Sequence, residues 1–396
     1  MQFTATKEDG SQISYRDGKR WLWFTGHLFV MVPLLTFWIY FVFEKNPIMV
    51  LIPFLFVFAF IPFMDWIVGE DPHNPPEEVV PAMSADKFYD QVAYSHIPLH
   101  YVMFIATVWF VGTQDLPVWA IIMLLLGVGT LNGNAINLGH ELGHKTDKLN
   151  RFMAKMALGV VGYGHFTVEH NRGHHVHVST PEDCASGRMG ESVYAFALRE
   201  LPGAFKGGWA HEAKRLRNKG LPLFHWENEI LQVYALTTVI ALALVAWVGW
   251  AVLPFIIAHH FISWYGLTQV NYIEHYGLLR QRRENGKYEP CQPHHSWNTN
   301  HIVSNLTQIH LQRHSDHHAN PMRPYQALRN FPDLPRLPSG YPGCLALAAI
   351  PPLWFKTMDP KVMTWAKGDI TRVNVCPKAK ERLYQRYGQT ENATTA

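Results

Sequence analysis

Apolar residues along this chain gather in blocks. Residues 21–43 form the first, in which His27 is the one side chain able to charge near neutral pH. Residues 48–69 form a second, interrupted only by Asp65. Residues 97–110 and 117–131 follow, then 233–257 with no charge at all, and 259–272 almost directly after. A helix needs about 20 apolar residues to cross the hydrocarbon layer. The pattern therefore predicts an all-α membrane protein with six transmembrane helices in three hairpins. Four spans fall within residues 21–139 and two within 231–275. Residues 44–47 and 112–116 are short turns. The polar stretches are an N-terminal segment (1–20), the regions 140–230 and 276–376, and a solvated tail (377–396).

Charge orients this arrangement. Residues 140–230 carry 12 Lys+Arg, and residues 276–396 carry 16 Lys+Arg against 8 Asp+Glu, an excess of 8. Lys7, Arg16, Lys19 and Arg20 precede the first span. Positive loops face the cytoplasm, so both termini and both long polar regions are expected inside. The acidic, Pro-rich stretch 70–95 departs from that bias. The first 20 residues are polar, so no cleavable signal is expected.

Composition sharpens the class. Charged residues are 16% and hydrophobic residues 48%, which excludes a disordered chain. The mean hydropathy of -0.06 averages greasy spans with polar regions. The four cysteines, Cys184, Cys291, Cys344 and Cys376, form no CxxC pair. That excludes a disulfide framework, a zinc ribbon and a built-in rubredoxin-type iron site. No internal repeat is present.

Histidine is the departure: 23 in all, of which 19 lie between His140 and His318. Three clusters have ligand spacing: His140-Glu-Leu-Gly-His144, His170-Asn-Arg-Gly-His174-His175 and His314-Ser-Asp-His317-His318. On a helix, positions i and i+3 or i+4 share a face. His140 with His144, His170 with His174, and His314 with His317 and His318 are thus expected to aim at common points, and His175 at a second. Eight imidazoles are too many for one metal with an open position, so two metals are expected. His275, closing the sixth span beside Glu274, is a candidate ninth ligand. Glu141, Glu169 and Asp316 beside the clusters either accept the ligands' outer N–H groups or are solvated helix-end charges. Asn132, Asn134 and Asn137 suggest a polar helix end at the bilayer surface. The metals would then sit just below it, under the apolar bundle.

Imidazole suits Zn, Cu, Fe and Ni, and spacing does not separate iron from zinc. Read literally, His140-Glu141-Leu142-Gly143-His144 is also the HExxH zincin signature, so an intramembrane zinc protease is the rival enzyme. It leaves the other clusters unexplained. A metal transporter would place its ligands at the bilayer midplane, whereas these flank the spans.

The three boxes, with Asn271-Tyr-Ile-Glu-His-Tyr-Gly-Leu278 and Leu311-Gln-Arg-His-Ser-Asp-His-His-Ala319, resemble the membrane-bound alkane 1-monooxygenases. These belong to the histidine-box superfamily that includes acyl desaturases and xylene monooxygenase, and either is a further alternative. Glu70-Asp-Pro72, Asn74-Pro-Pro-Glu-Glu78 and Pro351-Pro-Leu-Trp354 fit the same family. The resemblance runs from roughly residue 20 to 385 and implies a desaturase-like fold in the bacterial inner membrane. It implies two non-haem irons held by His140, His144, His170, His174, His175, His275, His314, His317 and His318, and hydroxylation of n-alkanes to 1-alkanols with O2. The chain has no haem, flavin or iron–sulfur motif of its own. The family implies reduced rubredoxin as electron donor, served by rubredoxin reductase and NADH. No nucleic-acid partner is expected. Glu274, Asn137 and His310 are expected around the ligands. His294, His295 and His301 are expected to be structural or at the surface. Phe54, Leu55, Phe56 and Phe58 are candidate walls of a substrate tunnel.

Overall fold

The structure, a computed structural model, describes residues 1–388. It is mostly helical, and six helices are long and apolar enough to cross a membrane: Leu22–Val42, Pro47–Val68, Lys87–Thr113, Val118–Gly143, Glu229–Val248 and Trp250–His275. The six expected spans are there, with several boundaries moved; the fourth, for one, runs on to Gly143. The third begins at Lys87 rather than residue 97, because Asp86 caps it by accepting the Phe88 N–H. The fifth ends at Val248 rather than residue 257. The break is Gly249, whose φ of +115° side-chain-bearing residues rarely adopt; no charge marks this turn in the sequence.

The second span carries a π-helical segment, Phe56–Phe60, just before Pro62. Proline has no N–H for the carbonyl one turn back, so the helical ladder loosens there. The fourth span runs through the middle of the bundle. A Cβ on Gly127 would stand 2.6 Å from the Phe54 backbone nitrogen, and one on Gly129 would stand 2.6 Å from Ile262. Small residues at these crossings bring the backbones together.

Asn132, read from sequence as part of a polar helix end, is fully buried in the bundle. Its amide oxygen lies 2.7 Å from His100 Nδ1 and its nitrogen 3.0 Å from His259 Nε2. Spans three, four and six are thus joined by hydrogen bonds where lipid offers none.

All the polar segments collect at one end of the bundle. A hairpin of Gln2–Thr6 and Gln12–Arg16 buries Phe3 there. The acidic stretch after the second span is stitched to the same region: Asp71 N–H donates to the Asn300 carbonyl, and Arg313 donates to the carbonyls of Asp71 and Leu328. The expected solvated tail is partly folded instead. Lys380–Tyr387 is a helix whose Leu383 is 1% exposed in the apolar cluster beneath the sixth span. Residues 389–396 lie outside the described residues.

Replacing Asn132 by Leu leaves two buried imidazole nitrogens without partners. A loss of about 1–3 kcal/mol is expected, read as a lower thermal midpoint of the detergent-purified protein. An unchanged midpoint would refute the cross-bundle role.

Candidate metal centre

The box histidines converge, but not in the groups their spacing suggests. Ring nitrogens of His140, His144, His170, His175 and His317 all lie within 4.8 Å of one another, and those of His174, His275, His314 and His318 form a second such group. The expected pair His170 and His174 is split between the two. Residues His170–His174 form a π-helical turn, which pairs i with i+5, so His170 faces His175, Nε2 to Nε2, at 3.0 Å. In the third box His314 and His318 share a point, while His317 turns to the other group. His140 and His144 stay together at the end of the fourth span.

The inward nitrogens are spaced as metal ligands are. His140 and His317 approach to 2.8 Å, His175 and His317 to 3.1 Å, His275 and His314 to 3.2 Å, and His314 and His318 to 2.7 Å, all Nε2 to Nε2. Ligands at right angles around a cation about 2.1 Å away lie about 3 Å apart. His144 Nε2 and His174 Nε2, one per group, are buried with no hydrogen-bond partner. A divalent metal in each group would satisfy these atoms, so the donor set fits.

Burial and the neighbouring imidazoles hold His170, His175, His314, His317 and His318 well below the usual histidine pKa, and His144 at about 4. They are therefore neutral, the form that binds metal. His174 differs. Burial pulls it down, but the charge and hydrogen bond of Asp183 outweigh that and raise it. His174 Nδ1 donates to Asp183 Oδ2 at 2.9 Å, and Ser186 and the Ala185 N–H also donate to Asp183. Asp183 is the carboxylate that orients a ligand ring, and sequence reasoning missed it. It sits on a loop nine residues after His174, outside any helical period.

The acids named from sequence do other things. Glu141 Oε1 accepts the Tyr325 N–H at 3.4 Å and lies 3.7 Å from Lys145. Asp316 ties its helix to the Arg329 N–H, Asn320 and Arg323. Both are buried, so neither is a solvated helix-end charge, and neither hydrogen-bonds a box imidazole. Glu169 accepts the Cys184 thiol, and burial beside Asp183 pushes its pKa up to about 8. Glu274 is the closest of these: Oε2 is 3.2 Å from His314 Nε2, on the metal side, and Tyr341 OH donates to its other oxygen. His310 turns away. Its φ of +57° puts Nδ1 on the Tyr325 carbonyl at 2.9 Å. Asn137 donates to the Gln308 carbonyl rather than to a ligand. His295 is structural, its carbonyl accepting from Ser179 Oγ and lying 3.4 Å from His275 Nδ1.

Two small cavities lie within the bundle. One of about 40 Å³ is lined by Phe29, Val57, Ile61, Thr130, Asn134 and Gln308, among others. The next, of about 60 Å³, shares Thr130, Asn134 and Gln308 and adds Gly133, Asn137, Gly266, Val270, Leu311 and Leu345. Leu55 and Phe56 line an outward groove instead, Leu55 being 51% exposed. The Phe54 and Phe58 rings lie 5.0 Å apart, centroid to centroid, tilted by 45°. Val57 and Ile61 are the second span's contribution to the inner walls.

A six-span bundle closing over two adjacent all-imidazole groups defines a membrane protein with a histidine-rich metal site. The fatty acid desaturase family profile matches residues 116–341. Alkane 1-monooxygenase 1 of Alcanivorax borkumensis is 46% identical over 96% of this chain and 94% of its own length. Alkane 1-monooxygenase of Pseudomonas putida is 50% identical over 80% of this chain and 79% of its own. The hydroxylase component of the Pseudomonas putida xylene/toluene monooxygenase is 29% identical over 61% of this chain and 64% of its own. The chain belongs to the alkane 1-monooxygenases within the fatty acid desaturase family.

Asp183→Asn keeps the size of the side chain and removes its charge from His174. Metal affinity is expected to fall about 10–100-fold, read as metal content after dialysis against a weak chelator. Retention equal to wild type would show that Asp183 does not orient the centre.

Proposed function

We propose that this protein hydroxylates the terminal methyl of n-alkanes to 1-alkanols, using O2 and two electrons from reduced rubredoxin, itself reduced by NADH through rubredoxin reductase. The nine histidines hold two irons, five around one and four around the other. The protein sits in the bacterial inner membrane, with both termini and the histidine cap in the cytoplasm. The observation that carries this reading is the pair of all-imidazole groups, with a cavity lined by spans four and six whose Asn137 stands three residues before His140. Iron bound there would convert O2 into an oxidant able to break an unactivated C–H bond.

The chain's own residues do the rest. On the fourth span Thr130, Gly133, Asn134 and Asn137 recur at three- and four-residue steps, and the next such step is His140. One helix face therefore runs from the cavity to the five-histidine centre. Gly266 and Val270 do the same on the sixth span toward Glu274. Walls this close admit a chain only end-on, which presents its terminal carbon first. On the other side a polar pocket of about 280 Å³, with Lys145 and Asn171 in its lining, reaches His144 from solvent. It supplies the two protons that balance the reaction, since alkane, O2, two electrons and two protons give alkanol and water.

The zinc protease loses its support at Glu141, which is engaged with Tyr325 and Lys145, and at His140 and His144, which join three further imidazoles. A transporter is disfavoured because the histidines lie at span ends.

Purified, iron-loaded protein given rubredoxin, its reductase, NADH and octane under 18O2 is expected to yield 1-octanol carrying one labelled oxygen. Unlabelled or absent 1-octanol would refute the reading. A Cβ on Gly266 would meet no atom within 4 Å, so Gly266→Phe should fold and fill the cavity. The chain length hydroxylated fastest is expected to shorten; an unchanged profile would place the alkane elsewhere.

A further inference from the structure

The helix Val193–Asn218 lies at the cap end of the bundle, and its two faces differ. On the inner face Glu200 is buried and accepts from Thr268 Oγ1 at 2.7 Å and from Asn271 Nδ2 at 3.3 Å. Both partners stand on the sixth span within two turns of His275, which ends it. Glu212, also buried, pairs with Arg215 and accepts the Glu229 N–H at the start of the fifth span. The helix is thus tied to spans six and five in turn. Glu200 and Glu212 are its two acids, and both point inward.

The outer face is apolar and open. Tyr194, Leu198, Phe205 and Trp209 recur at steps of four and seven residues, which keep to one side of a helix, and Leu198 is 82% exposed. The Trp209 ring lies 6.3 Å from that of Phe224, which with Trp226 carries the stripe toward the fifth span; these two are 79% and 75% exposed. The Trp226 carbonyl accepts from Gln232, in the first turn of that span. An apolar stripe this open marks a membrane or protein contact. Its continuity with the exposed apolar surface of the fifth span, where Val239 and Leu242 stand open, selects the membrane. Tryptophan and tyrosine are the side chains that settle at headgroup level. Charge then selects among lipids. Lys206, Lys214 and Arg217 form the neighbouring stripe, all exposed, and among the described residues none of them is in an ion pair. Arg199, Arg215 and Lys219, by contrast, are paired with Glu191, Glu212 and Glu227. The stems of the three free cations can lie along apolar surface while their charged ends reach phosphate.

We infer that the helix Val193–Asn218 lies in the membrane interface and that Lys206, Lys214 and Arg217 hold the headgroups of anionic phospholipids. A helix with an apolar stripe beside a cationic one binds such a surface by burying the first and pairing the second. Arg199 of the same helix donates to the Cys184 and Ser186 carbonyls, so the lipid contact and the loop that presents Asp183 to His174 share one element.

The test is titration of the detergent-purified full chain with fluorescent short-chain phosphatidylglycerol and, separately, phosphatidylcholine at low salt. Wild type is expected to bind phosphatidylglycerol about tenfold or more tighter, and Lys206→Gln/Lys214→Gln/Arg217→Gln to reduce that preference to about twofold or less. Lys356→Gln/Lys361→Gln, which removes exposed cations from another helix, is expected to keep it. All five positions are exposed, so both variants should fold. No preference in wild type, a preference that survives the triple variant, or equal loss in the two variants overturns the headgroup site. A nitroxide on Leu198→Cys, read against the wild-type background in nanodiscs of the two lipids mixed, is expected to be relaxed more by O2 than by a water-soluble nickel complex. The reverse would put this face in water, open to a soluble protein, and overturn the membrane placement.

Discussion

Nine imidazoles are packed at one end of a greasy bundle with their ring nitrogens pointing at each other. Burial makes a charged ring costly and holds most of those in the cap neutral, His174 excepted, which Asp183 favours in the charged form. Neutral rings crowded at about 3 Å cannot all satisfy one another, since each offers one donor and one acceptor. A buried polar atom without a partner destabilises the fold. Only cations at the two foci satisfy the inward nitrogens together, so the order of the cap and the occupancy of the centres are one equilibrium. The surrounding structure serves that constraint. The π-helical turn places His170 and His174 on different foci. Asp183 fixes one ring, and Arg313 holds the third box by grasping the carbonyls of Asp71 and Leu328.

The spans and the boxes were legible in the sequence because both are periodic or compositional. Long apolar runs mark helices in lipid, and i, i+4 histidines mark shared faces. The partition into five and four was not legible, because the i+4 rule fails at a π-helical turn and nothing in His170-Asn-Arg-Gly-His174-His175 announces one. Asp183 was invisible for a related reason, being brought to His174 by a loop. Asn132 bonds three spans together, a role that its place near a helix end does not announce. Asp316 and Glu141 sit beside ligands in sequence yet point to backbone and basic partners, so adjacency was a poor guide to contact. The tail read as solvated because Lys380–Tyr387 is mostly polar; Leu383 anchors it, with Tyr384 and Tyr387 packed beside it.

The two approaches to the centres differ in chemistry, and the difference follows from the fold. The inner cavities lie between spans, where Gly133 and Gly266 leave room and Val57, Ile61 and Val270 supply apolar walls. The pocket at His144 opens between the end of the fourth span and the start of the fifth, with cationic lining. An apolar substrate and aqueous protons can therefore arrive from opposite sides. The close alkane 1-monooxygenase relatives, matching most of the chain, and the more distant xylene/toluene enzyme fit one metal cap under bundles whose walls vary.

The central claim is that the nine histidines form two distinct iron sites. Anaerobic metal analysis with Mössbauer spectroscopy of the purified protein tests it most directly. Two irons per chain in two resolvable environments are expected from the five-and-four division. A single zinc per chain with no iron would contradict it.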